Sequence, residues 1–289
     1  MEDSVTVPKL LTPFDHSRDS AGMVYVYPVV SRRAGGISIG VNLNPNNACN
    51  WRCIYCQVPN LTRGTAPEID LAKLEHELRS FLQKVVFGDF MQENVPVEAR
   101  RLNDIALSGN GEPTSAREFT QVIEIISKLM AEFELVGKIK LVLITNGSLL
   151  HRENVQDGLR LMANVNGEVW FKLDRAAAQG IRKTNGTKSS PVKVFERLRT
   201  SITLCPTWLQ TCMFMLDGES PSIQEQQAYL DFIAHVRREK LALKGVLLYG
   251  LARPSMQVEA PRLAALPQEW MEIFAEKIRK LGIECHLNV

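Results

Sequence analysis

The sequence predicts an α/β fold, a partial (βα)6 TIM-like barrel of parallel strands with an irregular N-terminal extension. Short apolar segments rich in β-branched residues predict six strands, at residues 37–43, 104–108, 140–145, 169–173, 211–216 and 245–249. Longer amphipathic stretches separate these segments, and strands joined by such crossovers pair in parallel. A chain of 289 residues with 45% apolar residues is long enough to form one barrel of this kind.

Apolar residues that recur every three or four positions predict the helices. Five such stretches follow predicted strands, at residues 71–82, 119–129, 155–162, 194–202 and 229–236. A last helical pattern covers residues 267–281, and residues 283–289 are a candidate for one more strand. The predicted organisation is an N-terminal extension (1–35), a core barrel (36–255), and a C-terminal helix with a short tail (256–289).

Composition and charge narrow the classes of function. The chain has 34 Lys and Arg against 32 Asp and Glu, a net charge of +2, so it offers no broad attraction to nucleic acid or to an acidic membrane. We expect neither a secretory signal nor a membrane span, because no basic start precedes an apolar run and no run of about 18 apolar residues occurs. Three of the six cysteines fall within eight positions, which favours free thiols in a reducing, cytoplasmic location over a disulfide framework.

Cys49, Cys53 and Cys56 stand at intervals of four and three residues. On a loop around a cubic iron–sulfur cluster, this spacing lets each thiolate reach a different iron and leaves the fourth iron open to a small molecule. A structural zinc site is the alternative, but such a site wants four ligands. The next cysteines along the chain are Cys205 and Cys212, and no second Cys-x-x-Cys pair follows. Three unrelated buried cysteines are a further alternative.

The pattern Cys-x-x-x-Cys-x-aromatic-Cys resembles the signature of the radical S-adenosylmethionine (radical SAM) superfamily. The resemblance implies one [4Fe-4S] cluster on the three cysteines, with S-adenosylmethionine chelating the open iron. It implies an oxidoreductase- or lyase-type enzyme in which an electron donor such as flavodoxin or ferredoxin reduces the cluster. Cleavage of the sulfonium then gives a 5′-deoxyadenosyl radical that abstracts hydrogen from a substrate. Tyr55 is expected to lie against the adenine, and packing against the cysteine loop is the alternative.

Gly109 and Glu112 lie in the segment Ser-Gly-Asn-Gly-Glu-Pro, just after the second predicted strand. This segment resembles the Gly-Gly-Glu motif of the superfamily, with Asn110 as the departure, and implies that Gly109 and Glu112 hold the methionyl amino group. Glycine lets a backbone approach a ligand closely, and an ammonium group needs acceptors such as a carboxylate. A tight turn between strand and helix, without a ligand, is the alternative.

Two later strand ends supply the remaining candidates for contact with S-adenosylmethionine. Thr145 and Asn146 are expected near the ribose or the methionyl carboxylate, and an ordinary Asn-Gly turn is the alternative. Lys172 is expected beside the methionyl carboxylate. Because strand side chains alternate, Lys172 and Asp174 point the same way, and an ion pair between them is the alternative.

The motifs between residues 36 and 255 resemble the wyosine-synthase-like branch, which is similar to the activating enzymes of glycyl-radical enzymes. Wyosine-base synthases carry upstream cysteines for a second cluster, whereas no cysteine precedes Cys49, so the same tRNA reaction is not expected. Cys205, Cys212 and Cys285 are spaced too widely to suggest a second cluster, and Cys212 is expected in the core.

The sequence leaves the substrate open among an RNA base, a partner protein or peptide, and a small metabolite. Arg253 is a candidate for binding an anionic substrate group, and a surface salt bridge is the alternative. Two rival functions remain at this stage. One is a non-catalytic iron–sulfur electron carrier or sensor, and the other is a zinc-stabilised binding module.

Overall fold

The computed structural model describes residues 10–12, 22–31 and 35–288. Its main sheet contains, within those residues, eight strands that lie side by side in chain order. They are β1 (Val26–Ser31), β2 (Gly36–Val41), β3 (Leu102–Leu107), β4 (Lys140–Thr145), β5 (Gly167–Lys172), β6 (Thr207–Cys212), β7 (Gly245–Tyr249) and β8 (Cys285–Asn288). β1 runs antiparallel to β2, and every other neighbouring pair is parallel. The sheet curls into a partial TIM-like barrel, which confirms the predicted fold class.

Helices connect the parallel strands and cover the outside of the curled sheet. They are α1 (Leu71–Val86), α2 (Phe90–Asn94), α3 (Phe119–Glu132), α4 (Glu153–Ala163), α5 (Ala178–Asn185), α6 (Pro191–Leu204), α7 (Ile223–Arg238) and α8 (Gln268–Lys280). The amphipathic patterns predicted all of these except α2 and α5, which are short. Among the described residues, no helix combines the length and the apolar character that crossing a membrane requires.

β6 departs furthest from its predicted range. β6 begins four residues earlier than predicted, because the polar Thr207 and Gln210 are buried within it. The Thr207 hydroxyl is satisfied locally by the Cys205 carbonyl, 2.8 Å away. The apolar residues after β6 leave the sheet, and Phe214 packs on Tyr55 with ring centroids 5.5 Å apart. The predicted tail strand is confirmed as β8, and Val289 lies outside the described residues.

The N-terminal extension, expected to be irregular or partly extended, contains one regular element. Residues 26–31 form the antiparallel edge strand β1. Most of the remaining extension, residues 1–9, 13–21 and 32–34, lies outside the described residues. The prediction of irregular structure there is therefore untested.

Strand alternation separates the apolar core from the interior of the barrel. In β2, Ile39 is fully buried in the helix-facing core, whereas its neighbour Ser38 lines an interior cavity. In β3, Ile105 lies in the core and Asp104 lines the cavity. Because successive side chains on a strand point to opposite faces, each strand serves both the core and the cavity.

Glu77 in α1 fixes the start of β1. This buried carboxylate accepts hydrogen bonds from the backbone N–H of Val24 (3.0 Å) and of Tyr25 (2.8 Å). A backbone donor that loses its acceptor in a buried place destabilises the folded state, and bonds to charged acceptors contribute more than neutral ones. The edge strand therefore depends on one helical side chain.

We predict that Glu77→Ala lowers the free energy of unfolding by about 1.5–3 kcal/mol, since it leaves these donors without a carboxylate. Urea denaturation followed by circular dichroism measures the change. Gln83→Ala, an exposed position on the same helix, is the control and should change stability by less than about 0.5 kcal/mol. Equal effects of the two substitutions would contradict the proposed anchoring.

Candidate functional site

A cavity of about 570 Å³ occupies the interior of the barrel. Its volume lies within the range of about 300–1,000 Å³ that is typical of small-molecule sites. Many of its lining residues end or follow a strand, including Ser108, Asn146, Lys172 and Tyr249. The carboxyl ends of parallel strands build the active sites of complete barrels. The cavity is therefore the candidate functional site.

The cysteine loop lies at this cavity. Cys49 ends a two-residue strand, Ala48–Cys49, that pairs in parallel with Thr62–Arg63. Cys53 and Cys56 follow in a turn where the Cys56 N–H donates to the Cys53 carbonyl at 3.0 Å. All three cysteines are half-buried and line the cavity. The structure thus brings together the three residues that the sequence predicted as ligands.

The sulfur atoms of the loop accept N–H donors. The backbone N–H of Trp51 lies 3.4 Å from Cys49 Sγ, and Asn185 Nδ2 lies 3.3 Å from Cys53 Sγ. In the chain without a metal, burial raises the pKa of Cys49 to about 12 and that of Cys53 to about 12. Metal binding therefore has to displace thiol protons, after which N–H donors stabilise the thiolates.

These observations test whether the residues fit an iron–sulfur cluster. Three soft sulfur ligands face one cavity, and N–H groups are directed at two of them, which suits such a cluster. Across residues 10–12, 22–31 and 35–288, no three or more His, Cys, Asp or Glu side chains are arranged to hold a single metal ion. The residues present fit the cluster that the sequence predicted.

Tyr55 is fixed at its hydroxyl. Its hydroxyl donates to Asp174 Oδ2 at 2.5 Å, and Asn185 Nδ2 donates to the same oxygen at 2.7 Å. The other oxygen of Asp174 accepts from the Cys212 backbone N–H at 2.9 Å. Burial, followed by the charge of Asp174, raises the pKa of Tyr55. These contacts give Tyr55 the packing role, and because its ring also lines the cavity, the adenine contact stays a prediction.

Glu112 is buried beneath the turn that follows β3. Its Oε1 accepts from the Thr114 hydroxyl and from the Thr145 hydroxyl, each at 2.6 Å. Its Oε2 accepts from the Asn146 N–H at 2.7 Å. Burial raises the pKa of Glu112, and the hydrogen bonds oppose that rise. Glu112 lines the cavity, and its hydrogen bonds to Thr145 and Asn146 hold the end of β4. The Thr145 hydroxyl therefore points at Glu112.

The turn that carries Gly109 requires glycine. Gly109 has a φ of +144°, and a Cβ there would lie 2.4 Å from Asn42 Oδ1. At Gly111 a Cβ would lie 2.1 Å from the Ala48 carbonyl oxygen, in the cysteine loop. The two glycines let the turn pack between β2 and that loop. Gly109 lines the cavity, and its contact with the methionyl amino group stays a prediction.

Asn146 and Lys172 also line the cavity. Asn146 Nδ2 donates to Asn50 Oδ1 at 2.8 Å, which ties the end of β4 to the cysteine loop. Lys172 Nζ donates to the Tyr249 hydroxyl at 3.3 Å and lies 5.1 Å from the centroid of the Tyr55 ring. Asp174 acts on Lys172 through its charge, which raises the pKa of Lys172, so an interaction between these two residues stays an alternative to the predicted carboxylate contact.

The charge of Lys172 is stabilised by its surroundings. Burial alone lowers the pKa of this lysine, but Tyr249, Asp174 and Cys53 together outweigh burial, so the pKa is raised. The cavity wall therefore carries a cation at Lys172, and a carboxyl group at Glu112. A ligand with an ammonium and a carboxylate group finds a partner for each.

Sequence reasoning missed several polar residues that line the cavity, namely Ser38, Asp104, Trp170 and Gln210. The sequence did contain an indication, because the polar residues Ser38 and Gln210 interrupt apolar strands. Whether such a residue faces the cavity depends on which face of the strand points inward.

Cys212 was expected in the core; it is fully buried and also lines the cavity. Arg253 lines the cavity as well, whereas Cys205 and Cys285 do not belong to its lining.

Comparison with known proteins places this site in a family. The sequence model of the radical SAM superfamily matches residues 43–225, well over half of the chain. The UPF0026 protein of Helicobacter pylori strain J99 is 24% identical, and the match covers 82% of this chain and 68% of that protein. The GTPase Obg of Brachyspira hyodysenteriae is 28% identical over 46% of this chain, but the match spans only 17% of that protein.

Solved structures share the fold. A radical SAM methyltransferase from Sphaerobacter thermophilus superposes with a TM-score of 0.59 at 12% identity, covering 91% of this chain and 68% of that one. TYW1 with a bound lysine–pyruvate adduct superposes with a TM-score of 0.53 at 15% identity, covering 86% and 74%. Identities this low show the fold alone. The match to the family model, with the shared fold and the three cysteines at the cavity, establishes that this chain belongs to the radical SAM superfamily.

Proposed function

We propose that the protein is an enzyme that holds one [4Fe-4S] cluster on Cys49, Cys53 and Cys56 and cleaves S-adenosylmethionine reductively. One observation carries the proposal: the three thiols line the same cavity as a buried carboxyl group, Glu112, and a half-buried ammonium group, Lys172. Membership of the superfamily implies both cofactors. When bound, the cluster supplies the single electron that breaks the sulfonium bond of S-adenosylmethionine.

The chain's own residues bind and orient S-adenosylmethionine in this proposal. Glu112 accepts a hydrogen bond from the methionyl ammonium, and Lys172 donates to the methionyl carboxylate. Gly109 and Asn146 bring backbone and amide groups to the same wall, and Tyr55 presents its ring to the adenine. We expect Thr145 to act indirectly, because its hydroxyl already holds Glu112.

The barrel interior then protects a reactive carbon radical. Side chains of β2, β3 and β6 line the cavity wall, where they limit the contact of a bound radical with bulk water. The reacting group of the substrate enters this cavity. An RNA base, a peptide side chain and a small metabolite each remain candidates. S-adenosylmethionine, when bound and cleaved, would supply the 5′-deoxyadenosyl group that accepts the hydrogen atom.

We predict that anaerobic reconstitution loads about four irons per chain, the content of one cubic cluster. Cys53→Ala should abolish both the iron content and the visible absorption, because it removes a ligand. The matched control is Cys205→Ala with Cys285→Ala, since both cysteines lie outside the cavity lining; this variant should keep its iron. A tightly held zinc ion without iron would instead support the zinc-stabilised binding module.

We also predict that Glu112→Gln and Lys172→Met each weaken the binding of S-adenosylmethionine about tenfold to a hundredfold. A hydrogen bond to a charged group contributes roughly 1.5–3 kcal/mol, which corresponds to this change in affinity. Equilibrium binding and the reductive formation of 5′-deoxyadenosine are measured without oxygen. The cluster absorption should persist, because its ligands are unchanged.

Glu124→Gln and Lys244→Met, at exposed positions, are matched controls and should bind S-adenosylmethionine like the parent. If Glu112→Gln and Lys172→Met also behave like the parent, the assignment of these two residues is wrong. A cluster that forms without any cleavage of S-adenosylmethionine would favour the electron carrier or sensor.

A further inference from the structure

An unusually basic segment lies next to the cysteine loop. Residues 182–199 hold six basic residues and one acidic residue, Glu196, a net charge of +5. The whole chain has a net charge of +2, so all other residues together carry −3. Two of the six basic residues serve the protein itself: Arg197 donates to Ser189 Oγ at 3.1 Å, and Arg199 pairs with Glu239 at 2.9 Å.

The other four form what we call the basic surface: Arg182, Lys183, Lys188 and Lys193. All four are exposed, and none forms a salt bridge or a side-chain hydrogen bond with any residue that the structure describes. Exposed cations this close in sequence repel one another, although Lys183, after Arg262, also lowers the pKa of Asp217 through its charge. A partner of opposite charge would be attracted to this group of cations.

The backbone beside the basic surface holds the cysteine loop. The carbonyl groups at the end of α5 accept from that loop: Thr184 from the Ile54 N–H (2.9 Å) and Asn185 from the Arg52 N–H (3.2 Å). The Asn185 side chain also donates to Cys53 Sγ at 3.3 Å. One residue thus separates Lys183 from a side chain that contacts a predicted cluster ligand.

The basic surface lies outside the cavity. No residue between 178 and 199 is among the residues that line the cavity. The end of α5 therefore contacts the cysteine loop on a different side from the one that faces the cavity. A partner that binds there comes close to the cluster position without entering or closing the cavity.

We propose that the basic surface is the docking site of an acidic one-electron carrier protein of the flavodoxin or ferredoxin type. This inference rests on the proposed function, because only a chain with a cluster needs such a partner. The transfer moves one electron from the carrier, which is oxidised, to the cluster, which is reduced. Electron-transfer complexes bury little area, and complementary charge steers them together. A reacting RNA base, by contrast, has to enter the cavity.

The test compares charge reversal on two faces. Lys183→Glu with Lys188→Glu reverses the basic surface. Lys240→Glu with Lys244→Glu reverses two exposed lysines between α7 and β7, at the opposite end of the barrel. Binding of purified flavodoxin is measured by titration calorimetry at low and high salt, on the iron-loaded protein. Reduction of the cluster by reduced flavodoxin and by dithionite is followed by absorbance.

We expect reversal of the basic surface to weaken flavodoxin binding and to slow reduction by flavodoxin by at least about tenfold at low salt, with most of the difference lost at high salt. Dithionite should reduce all three proteins at the same rate, and the control variant should bind flavodoxin like the parent.

Equal flavodoxin binding by all three proteins would overturn the docking site while leaving the proposed function intact. Loss of tRNA binding, with flavodoxin binding unchanged, would assign the surface to RNA and also overturn it. A parent that binds no iron contradicts both proposals.

Discussion

The buried carboxylate of Asp174 holds together the parts of the molecule from which the candidate site is built. Its two oxygens accept from Tyr55 in the cysteine loop, from Asn185 at the end of α5 and from the Cys212 N–H in β6. A buried carboxylate is tolerated only when donors satisfy it. Its position beyond the end of β5 therefore fixes how the loop, the helix and the next strand meet, and Asn185 extends that arrangement to the sulfur of Cys53.

The same requirement governs the rest of the cavity. Glu112 is satisfied by the Thr114 and Thr145 hydroxyls and by backbone N–H groups, so its place between β3 and β4 is fixed before any ligand binds. Lys172 is held among a phenol ring, a phenol hydroxyl and nearby acidic groups. Preorganised groups of this kind lose little entropy when a charged ligand enters, which favours binding at the wall they form.

Opposite charges in the cavity and a net excess of positive charge beside it divide the surface into two regions. The cavity suits a small zwitterion, because its wall presents Glu112 and Lys172. The basic surface around the end of α5 is exposed and forms no salt bridge among the described residues, which suits a partner of opposite charge. Both regions adjoin the cysteine loop, so in our proposals S-adenosylmethionine reaches the loop from the interior and the carrier protein reaches it from outside.

The sequence by itself determined the fold class, the cysteine loop, and the order of strands β2 to β8 and of all the helices except α2 and α5. Local patterns carry this information: helical periodicity, β-branched runs and cysteine spacing depend on residues close in the chain. Glu112 and Asn146 lie in short motifs, so the sequence alone predicted them as site residues.

Only the tertiary structure decided the partners of those residues and the inward-facing set of Ser38, Trp170 and Gln210. It also placed β6 four residues earlier than the apolar run predicted and gave β1 its place at the edge of the sheet. These features depend on strand register and on burial of polar groups far apart in sequence, such as Tyr55 and Asp174. A one-residue change in register turns a strand's inner face outward, so no local pattern fixes which side chains reach the cavity.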